Sequence, residues 1–169
     1  QLVDDDDPSF DFESLYSDSL SLKSFQYRID SKLDYYIPLF ARSVVKTSIQ
    51  SGIILSEQDI YQNEQYRIGG NRLLRGFDEE AVFATLFAVA TVEYRLLIGT
   101  NSYLYLFGDY AYLENNEQKT VRHPSGFGVG MNYGTKAGVI SLTYAIGWAE
   151  DIPFQPARGK IHVGFVNQF

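Results

Sequence analysis

The chain has 169 residues, of which 45% are hydrophobic, 15% aromatic and 21% charged, so its composition is that of a folded protein about one domain long. Its net charge of -7 and its scattered basic residues argue against nucleic acid as a partner, because phosphate binding needs clustered Lys and Arg. The absence of cysteine excludes a disulfide scaffold and a thiolate metal site. No apolar run reaches about 18 residues, so a membrane could be crossed only by strands of about 9–11 alternating residues.

The N-terminal stretch differs from the rest of the chain. Asp4–Asp7 form an acidic run followed by Pro8, and like charges side by side favour a solvated loop. We interpret residues 1–23 as an acidic loop or a weak strand, and residues 24–169 as the part that carries the regular fold.

Alternation of apolar and polar residues begins at Phe25 and recurs along the chain, and period two predicts β-strands with one apolar and one polar face. No segment has a convincing helical pattern. The predicted strands cover residues 25–39, 42–53, 83–98, 103–113, 126–134, 139–148 and 159–169.

The connections between these strands alternate in length. Turns near residues 40, 100 and 136 are short, whereas the connections at 56–82, 114–125 and 149–157 are long. In an up-and-down meander, alternate connections lie at the same end of the sheet. The sequence therefore predicts tight turns at one end and long loops at the other.

Alternation alone does not say which face meets solvent. A soluble barrel or sandwich turns the apolar face inward, whereas a membrane barrel turns it toward lipid. The unequal connections and a polar face that is small and mixed, rather than dense in Lys and Glu, favour the membrane barrel. Aromatic residues near the strand ends also fit the girdles of a membrane barrel: Tyr35, Tyr94, Tyr112, Tyr133 and Trp148.

The most distinctive segment lies in the long loop, where Gly69–Gly70 precede Arg72-Leu73-Leu74-Arg75-Gly76-Phe77. With the last strand, it resembles the superfamily of outer-membrane protein assembly factors and two-partner-secretion transporters, the bacterial surface antigen family that includes BamA and TamA. Members carry an Arg-Gly-Phe/Tyr motif, here Arg75-Gly76-Phe77, on a loop that folds back into the barrel lumen. The resemblance covers roughly residues 25–169. It implies an all-β, antiparallel up-and-down transmembrane barrel of about sixteen strands, of which this chain supplies the C-terminal seven or eight, with loop 56–82 inserted in the lumen.

An arginine inside a lumen needs an anionic partner, because an unpaired buried charge is costly. Glu93 and Asp109 lie on the polar face of the next two strands, and similar acids pair with the loop arginine in the family. We expect Arg75 to bridge both, since a guanidinium can engage two carboxylates, and Gly128 and Gly130 to leave space for the loop. An ordinary exposed arginine is the alternative.

The last strand resembles the terminal signal by which outer-membrane barrels are recognised for insertion. The residues that we assign to this signal and to the barrel seam are His162, Gly164, Phe165 and Phe169. Asn167 departs from the pattern, which has an aromatic residue there. If the first and last strands of the barrel pair weakly, this edge could template an incoming strand, and Gly164 would weaken the seam. The alternative is an apolar strand without such a role.

The resemblance implies a protein without enzyme activity that assists insertion of barrel proteins into the bacterial outer membrane or moves polypeptides across it. The implied partners are outer-membrane lipid, an N-terminal half of the barrel with periplasmic domains, and client polypeptides. We expect no catalytic residues, cofactor or metal, since His123 and His162 lack partners for a metal site, and we interpret Asp78–Glu80 as a solvated loop edge. The alternatives are a membrane anchor or pore for a fused domain, or a soluble barrel that binds an apolar ligand.

Overall fold

The computed structural model describes residues 25–167, and almost all of its regular structure is β-strand. The predictions for residues 1–23 and for Phe169 lie outside this range. The strands in chain order are β1 (Gln26–Phe40), β2 (Ser43–Ser56), β3 (Tyr66–Ile68), β4 (Val82–Ala84), β5 (Leu86–Gly99), β6 (Ser102–Asn115), β7 (Thr120–Arg122), β8 (Ser125–Thr135), β9 (Gly138–Trp148) and β10 (Lys160–Asn167), with one turn of 3-10 helix at Pro156–Arg158.

The long strands form one antiparallel sheet in the order β1-β2-β5-β6-β8-β9-β10, so each pairs with the long strand next to it in sequence. These are the strands that the alternation predicts, and the all-β, up-and-down architecture is confirmed. Strand β7 pairs with β6, and β3 and β4 form a separate hairpin within the long loop. Within the described residues, the sheet does not close: β1 and β10 are its two edges.

The connections follow the predicted alternation. Two-residue turns at 41–42, 100–101 and 136–137 join the strands at one end of the sheet. The connections at the other end are much longer, and one of them contains the β3–β4 hairpin. The long loop therefore starts and finishes at the same end of the sheet, where it can fold back along one face.

The sheet has an apolar outer face and a more polar inner face, which we define as the face on which the long loop packs. Ile29, Leu142 and Phe165 lie on the outer face and are 57%, 45% and 58% exposed. The apolar side chains at alternate strand positions therefore do not pack together in a closed interior, as they would in a soluble barrel. No helix within residues 25–167 has the length and apolar character needed to cross a membrane.

The main buried core lies between the inner face and the loop. Loop residues Ile68, Leu74 and Phe77 pack with β5 and β6 residues, among them Phe87, and each of these side chains is nearly or fully buried. The ring of Tyr66 meets Phe87 edge-on at a centroid distance of 4.8 Å. Because the loop supplies one side of this core, its position is fixed by packing as well as by charge.

Replacing Leu106 by Arg tests the lipid-facing assignment. Leu106 is 56% exposed on the outer face of β6, between Tyr94 and Val129 in register. A charge at mid-bilayer costs about 2–4 kcal/mol in a barrel, and we expect Leu106→Arg to lower the free energy of unfolding by that amount. Urea titration of the full-length protein in lipid vesicles measures it.

The matched control is Tyr61→Arg, because Tyr61 is 73% exposed in the long loop. A substitution at an exposed loop position is expected to change stability by no more than about 0.5 kcal/mol. Equal effects of the two substitutions would show that the outer face of β6 does not contact lipid.

Candidate functional site

Arg75 extends from the loop to the inner face of the sheet and lies between two carboxylates. Its Nη1 donates to Glu93 Oε1 at 2.7 Å, its Nη2 to Asp109 Oδ1 at 2.6 Å, and its Nε to Asp109 Oδ2 at 2.8 Å. The backbone N–H of Arg75 also donates to Asp109, at 3.2 Å. The exposed fractions of the Arg75, Glu93 and Asp109 side chains are only 8%, 8% and 0%. The structure thus brings together the three residues that the sequence reading links.

The pairing of β5 with β6 places the two acids side by side. Asp109 is opposite Thr91 and Glu93 is opposite Phe107, so the carboxylates are offset by two residues on the inner face. Thr91 Oγ1 donates to Asp109 Oδ1 at 2.8 Å. This hydrogen bond orients the Asp109 carboxylate, which accepts two hydrogen bonds from the Arg75 guanidinium, whereas Glu93 accepts one. The alternation of side chains along each strand and the register between β5 and β6 therefore suffice to place the two carboxylates that accept the Arg75 hydrogen bonds.

A second arginine, Arg95, belongs to the site and was not singled out by the sequence reading. Its Nε donates to Glu93 Oε2 at 2.8 Å, and its guanidinium carbon lies 4.6 Å from the ring centroid of Tyr103. The signal was present, because Arg95 follows Glu93 by two residues and so shares its face. Two arginines and two carboxylates make the cluster electrically balanced, as burial requires.

An aromatic column on β6 covers the arginines. The rings of Tyr103, Tyr105 and Phe107 follow one another at centroid distances of 5.8 and 6.0 Å. The guanidinium carbon of Arg75 lies 3.5 Å from the Phe107 centroid, a close cation–π contact. Burial alone would lower the pKa of Arg75, but its bonds to Asp109 and Glu93 outweigh burial and raise that pKa above its ordinary value, so the loop arginine stays charged.

Two glycines allow the loop backbone to lie directly on the sheet. Gly126 and Gly147 face each other on β8 and β9. A Cβ on Gly126 would lie 2.1 Å from the Arg75 carbonyl oxygen, and one on Gly147 would lie 2.6 Å from the Gly76 oxygen. Gly76 itself has a φ of 91°, which side-chain-bearing residues rarely adopt.

The prediction that Gly128 and Gly130 leave space for the loop is wrong. A Cβ on Gly128 would meet the β9 backbone and Phe107, and one on Gly130 would lie 2.3 Å from Tyr105. These glycines make room for rings of the aromatic column, and the loop itself rests on the next glycine toward the long-loop end of β8. The spacing Gly126-x-Gly128-x-Gly130 carries no local signal that distinguishes these roles.

The terminal-strand residues are distributed over both faces of β10. His162 is buried on the inner face, where Gly164 also lies, paired with Ser141. Phe165 is exposed on the outer face. The acidic segment Asp78–Glu80 is exposed as expected, but the sequence reading missed that it also contacts β10.

The charged side chains of this site are paired with one another. Residues 25–167 contain no group of three or more His, Cys, Asp and Glu side chains arranged to hold a metal ion. The clustered arginines and acids neutralise one another, and their ion pairs hold the loop on the sheet.

An antiparallel sheet with an apolar outer face, and a loop fixed by buried charges on its inner face, defines part of a transmembrane β-barrel. Comparison with protein families matches residues 13–169 to the Omp85 superfamily domain, and the chain belongs to that superfamily. Its members are non-enzymatic transporters and assembly factors of the bacterial outer membrane. The resemblance noted from the motifs is confirmed. A search of curated proteins found no match to the chain.

Replacing Arg75 by Ala removes the cation between two buried carboxylates. Breaking a buried ion pair from one side typically costs about 3–5 kcal/mol, and we expect a loss of that order in the free energy of unfolding, measured by urea titration in lipid vesicles. The control is Arg72→Ala, because Arg72 is an exposed arginine of the same loop. If both variants unfold like the wild type, the buried cluster does not stabilise the barrel.

The two acids should respond differently when Arg75 is absent. Among the described residues, Asp109 has no other cationic partner, whereas Glu93 keeps Arg95. In the Arg75→Ala background, Asp109→Asn should therefore recover about 1–2 kcal/mol by removing an unpaired buried charge.

Glu93→Gln in the same background should recover nothing, because it unpairs Arg95. A thermodynamic cycle over the single and double variants separates the two cases. Equal recovery of the free energy of unfolding from both substitutions would contradict the assignment of Asp109 to Arg75 alone and of Glu93 to both arginines.

Proposed function

We propose that this chain forms the C-terminal part of an outer-membrane barrel that assists insertion of other barrel proteins or transports polypeptides across that membrane. In this proposal residues 24–169 are half of a barrel of about sixteen strands, and loop 56–82 occupies its lumen. The partners are outer-membrane lipid, an N-terminal half of the barrel with periplasmic domains, and client polypeptides. No bond chemistry, cofactor or metal takes part.

The observation that carries the proposal is the buried Arg75 cluster. It ties the loop to β5 and β6, in the middle of the sheet, with ion pairs that contain the fully buried side chain of Asp109. A sheet braced at its centre can open at an edge without losing its interior. The bracing thus favours movement at the terminal strand over general unfolding.

The edge strand β10 offers the chemistry that insertion needs. It pairs with β9 on one side, and within the described residues its other side has no partner strand. Unpaired N–H and C=O groups on such an edge can hydrogen-bond an incoming strand by β-augmentation. Gly164, on the inner face of β10, contributes no side-chain packing to the seam, which favours a weak closure with the first strand of the barrel.

Two other functions were left open by the sequence. A soluble barrel that binds an apolar ligand is disfavoured, because the outer face of each long strand carries exposed large apolar side chains. A barrel that serves only as an anchor or pore for a fused domain has the same architecture. Only a measurement of client insertion separates this alternative from the proposal.

Site-specific cross-linking tests β10 as the template for a client. Val163, 74% exposed on the outer face of β10, is replaced by Cys in a cysteine-free background of the full-length protein, and a denatured barrel client carries one Cys in its own terminal strand. We expect disulfide capture of the client while it inserts into vesicles that contain the Val163→Cys protein. Client protease resistance and heat-modifiable gel mobility report its folding.

The matched control is Leu106→Cys, which is also exposed on the outer face but lies on a strand with two paired neighbours. It should capture little client. Equal capture of the client at Val163→Cys and at Leu106→Cys would contradict the role of β10 as a template. Client folding at the rate of protein-free vesicles would favour the anchor or pore instead.

A further inference from the structure

We propose that the acidic loop segment Asp78–Glu79 is a latch on the inner face of β10, so that the loop anchored by Arg75 also restrains the edge strand. This inference rests on the proposed function and adds a regulatory contact to it. It assigns a role to charged residues that belong neither to the Arg75 cluster nor to the buried core.

The latch consists of two contacts at the start of β10. Lys160 Nζ forms an ion pair with Asp78 Oδ1, and His162 Nδ1 lies 3.8 Å from Glu79 Oε1. Lys160 and His162 are two residues apart, so they share the inner face of the strand. Within the described residues, His162 Nε2 is buried without a hydrogen-bond partner, so the ring makes its approach to Glu79 through Nδ1.

The loop itself positions the Glu79 carboxylate. The backbone N–H of Asn71 donates to Glu79 Oε1 at 3.0 Å. The carboxylate also occupies the space above Gly70, where a Cβ would lie 1.8 Å from Glu79 Oε2. Gly70 has a φ of 91°, so the turn that receives Glu79 needs glycine for its conformation and for its space. The Glu79 half of the latch is therefore held in place by contacts within the loop.

The loop thus contacts the sheet from its centre to its edge. Arg75 lies on β5 and β6, the loop backbone crosses Gly126 and Gly147 on β8 and β9, and the acids reach β10. No other described segment joins β10 to strands beyond its neighbour β9 through side-chain ion pairs. Movement of the loop tip and movement of the edge strand are therefore mechanically linked.

The two ends of this connection differ in strength. The Asp78 and Glu79 side chains are 74% and 65% exposed, whereas those of Arg75 and Asp109 are 8% and 0% exposed. Exposed ion pairs contribute little to stability and are screened by salt, whereas breaking a buried pair is costly. The latch can therefore open while the loop remains anchored at Arg75.

Hydrogen exchange of the full-length protein in lipid nanodiscs tests the latch. The variant Asp78→Asn with Glu79→Gln removes both acidic contacts. We expect amides of residues 160–165 to exchange several-fold faster, with no change in β5 and β6. The matched control is Glu80→Gln, because Glu80 is the next acid along the loop and pairs at 3.1 Å with Arg67 instead of β10. It should leave β10 exchange unchanged.

A charge exchange checks that the effect comes from the ion pair. Asp78→Lys and Lys160→Asp should each accelerate β10 exchange, and the double variant should restore the wild-type rate. Unchanged β10 exchange in the neutralised variant would overturn the latch. Equal acceleration in β5, β6 and β10 would also overturn it, because the acids would then hold the whole loop.

The measurement separates the latch from the proposed function because no client is present. A protein that fails to insert clients but shows the exchange response has a latch without the proposed activity. One that inserts clients with unchanged exchange in every variant has the activity without the latch.

Discussion

A buried arginine on the inner face of the sheet needs an anionic partner, and this constraint helps to fix the position of the loop. Arg75 meets Glu93 and Asp109 on adjacent strands, and Arg95 supplies the charge that balances the second acid. The cluster stays close to neutral only while the loop is in place. Leu74 and Phe77, which flank Arg75 in the loop, pack into the buried core beside the cluster, so charge and packing hold the loop together.

Most of the fold could be predicted from period-two alternation, and the reason is physical. A strand puts successive side chains on opposite faces whether its apolar face meets lipid or a protein core. The alternation of apolar and polar residues therefore indicates a strand in either case. The long strands from β1 to β10 were found in this way. The three-residue strands β3 and β7 were missed, and β4 was merged with β5 in the predicted strand 83–98, because so few residues cannot establish a period.

The site was partly predictable for a different reason. The parities of Glu93 and Asp109 are local properties of their strands, so the sequence reading could assign both acids to the lumen face. The surface beneath the loop backbone is not a local property, because it depends on how far the loop folds back before it meets β8. That distance decides that Gly126 rather than Gly128 receives the loop. The contact of Asp78 with Lys160 was missed for the same reason, since it joins residues that are distant in sequence.

The contacts of the loop weaken from the centre of the sheet toward its edge. At β5 and β6 the charges are buried and each bond has a fixed geometry, with Thr91 holding Asp109 and Arg95 holding Glu93. At β8 and β9 the contact is backbone on glycine, which constrains position but adds no charge. At β10 the carboxylates are largely exposed. Because the most exposed contacts have the lowest cost of opening, local opening of this assembly is expected to begin at β10, the strand that would receive a client in the proposed function, while the buried cluster holds β5 and β6 together.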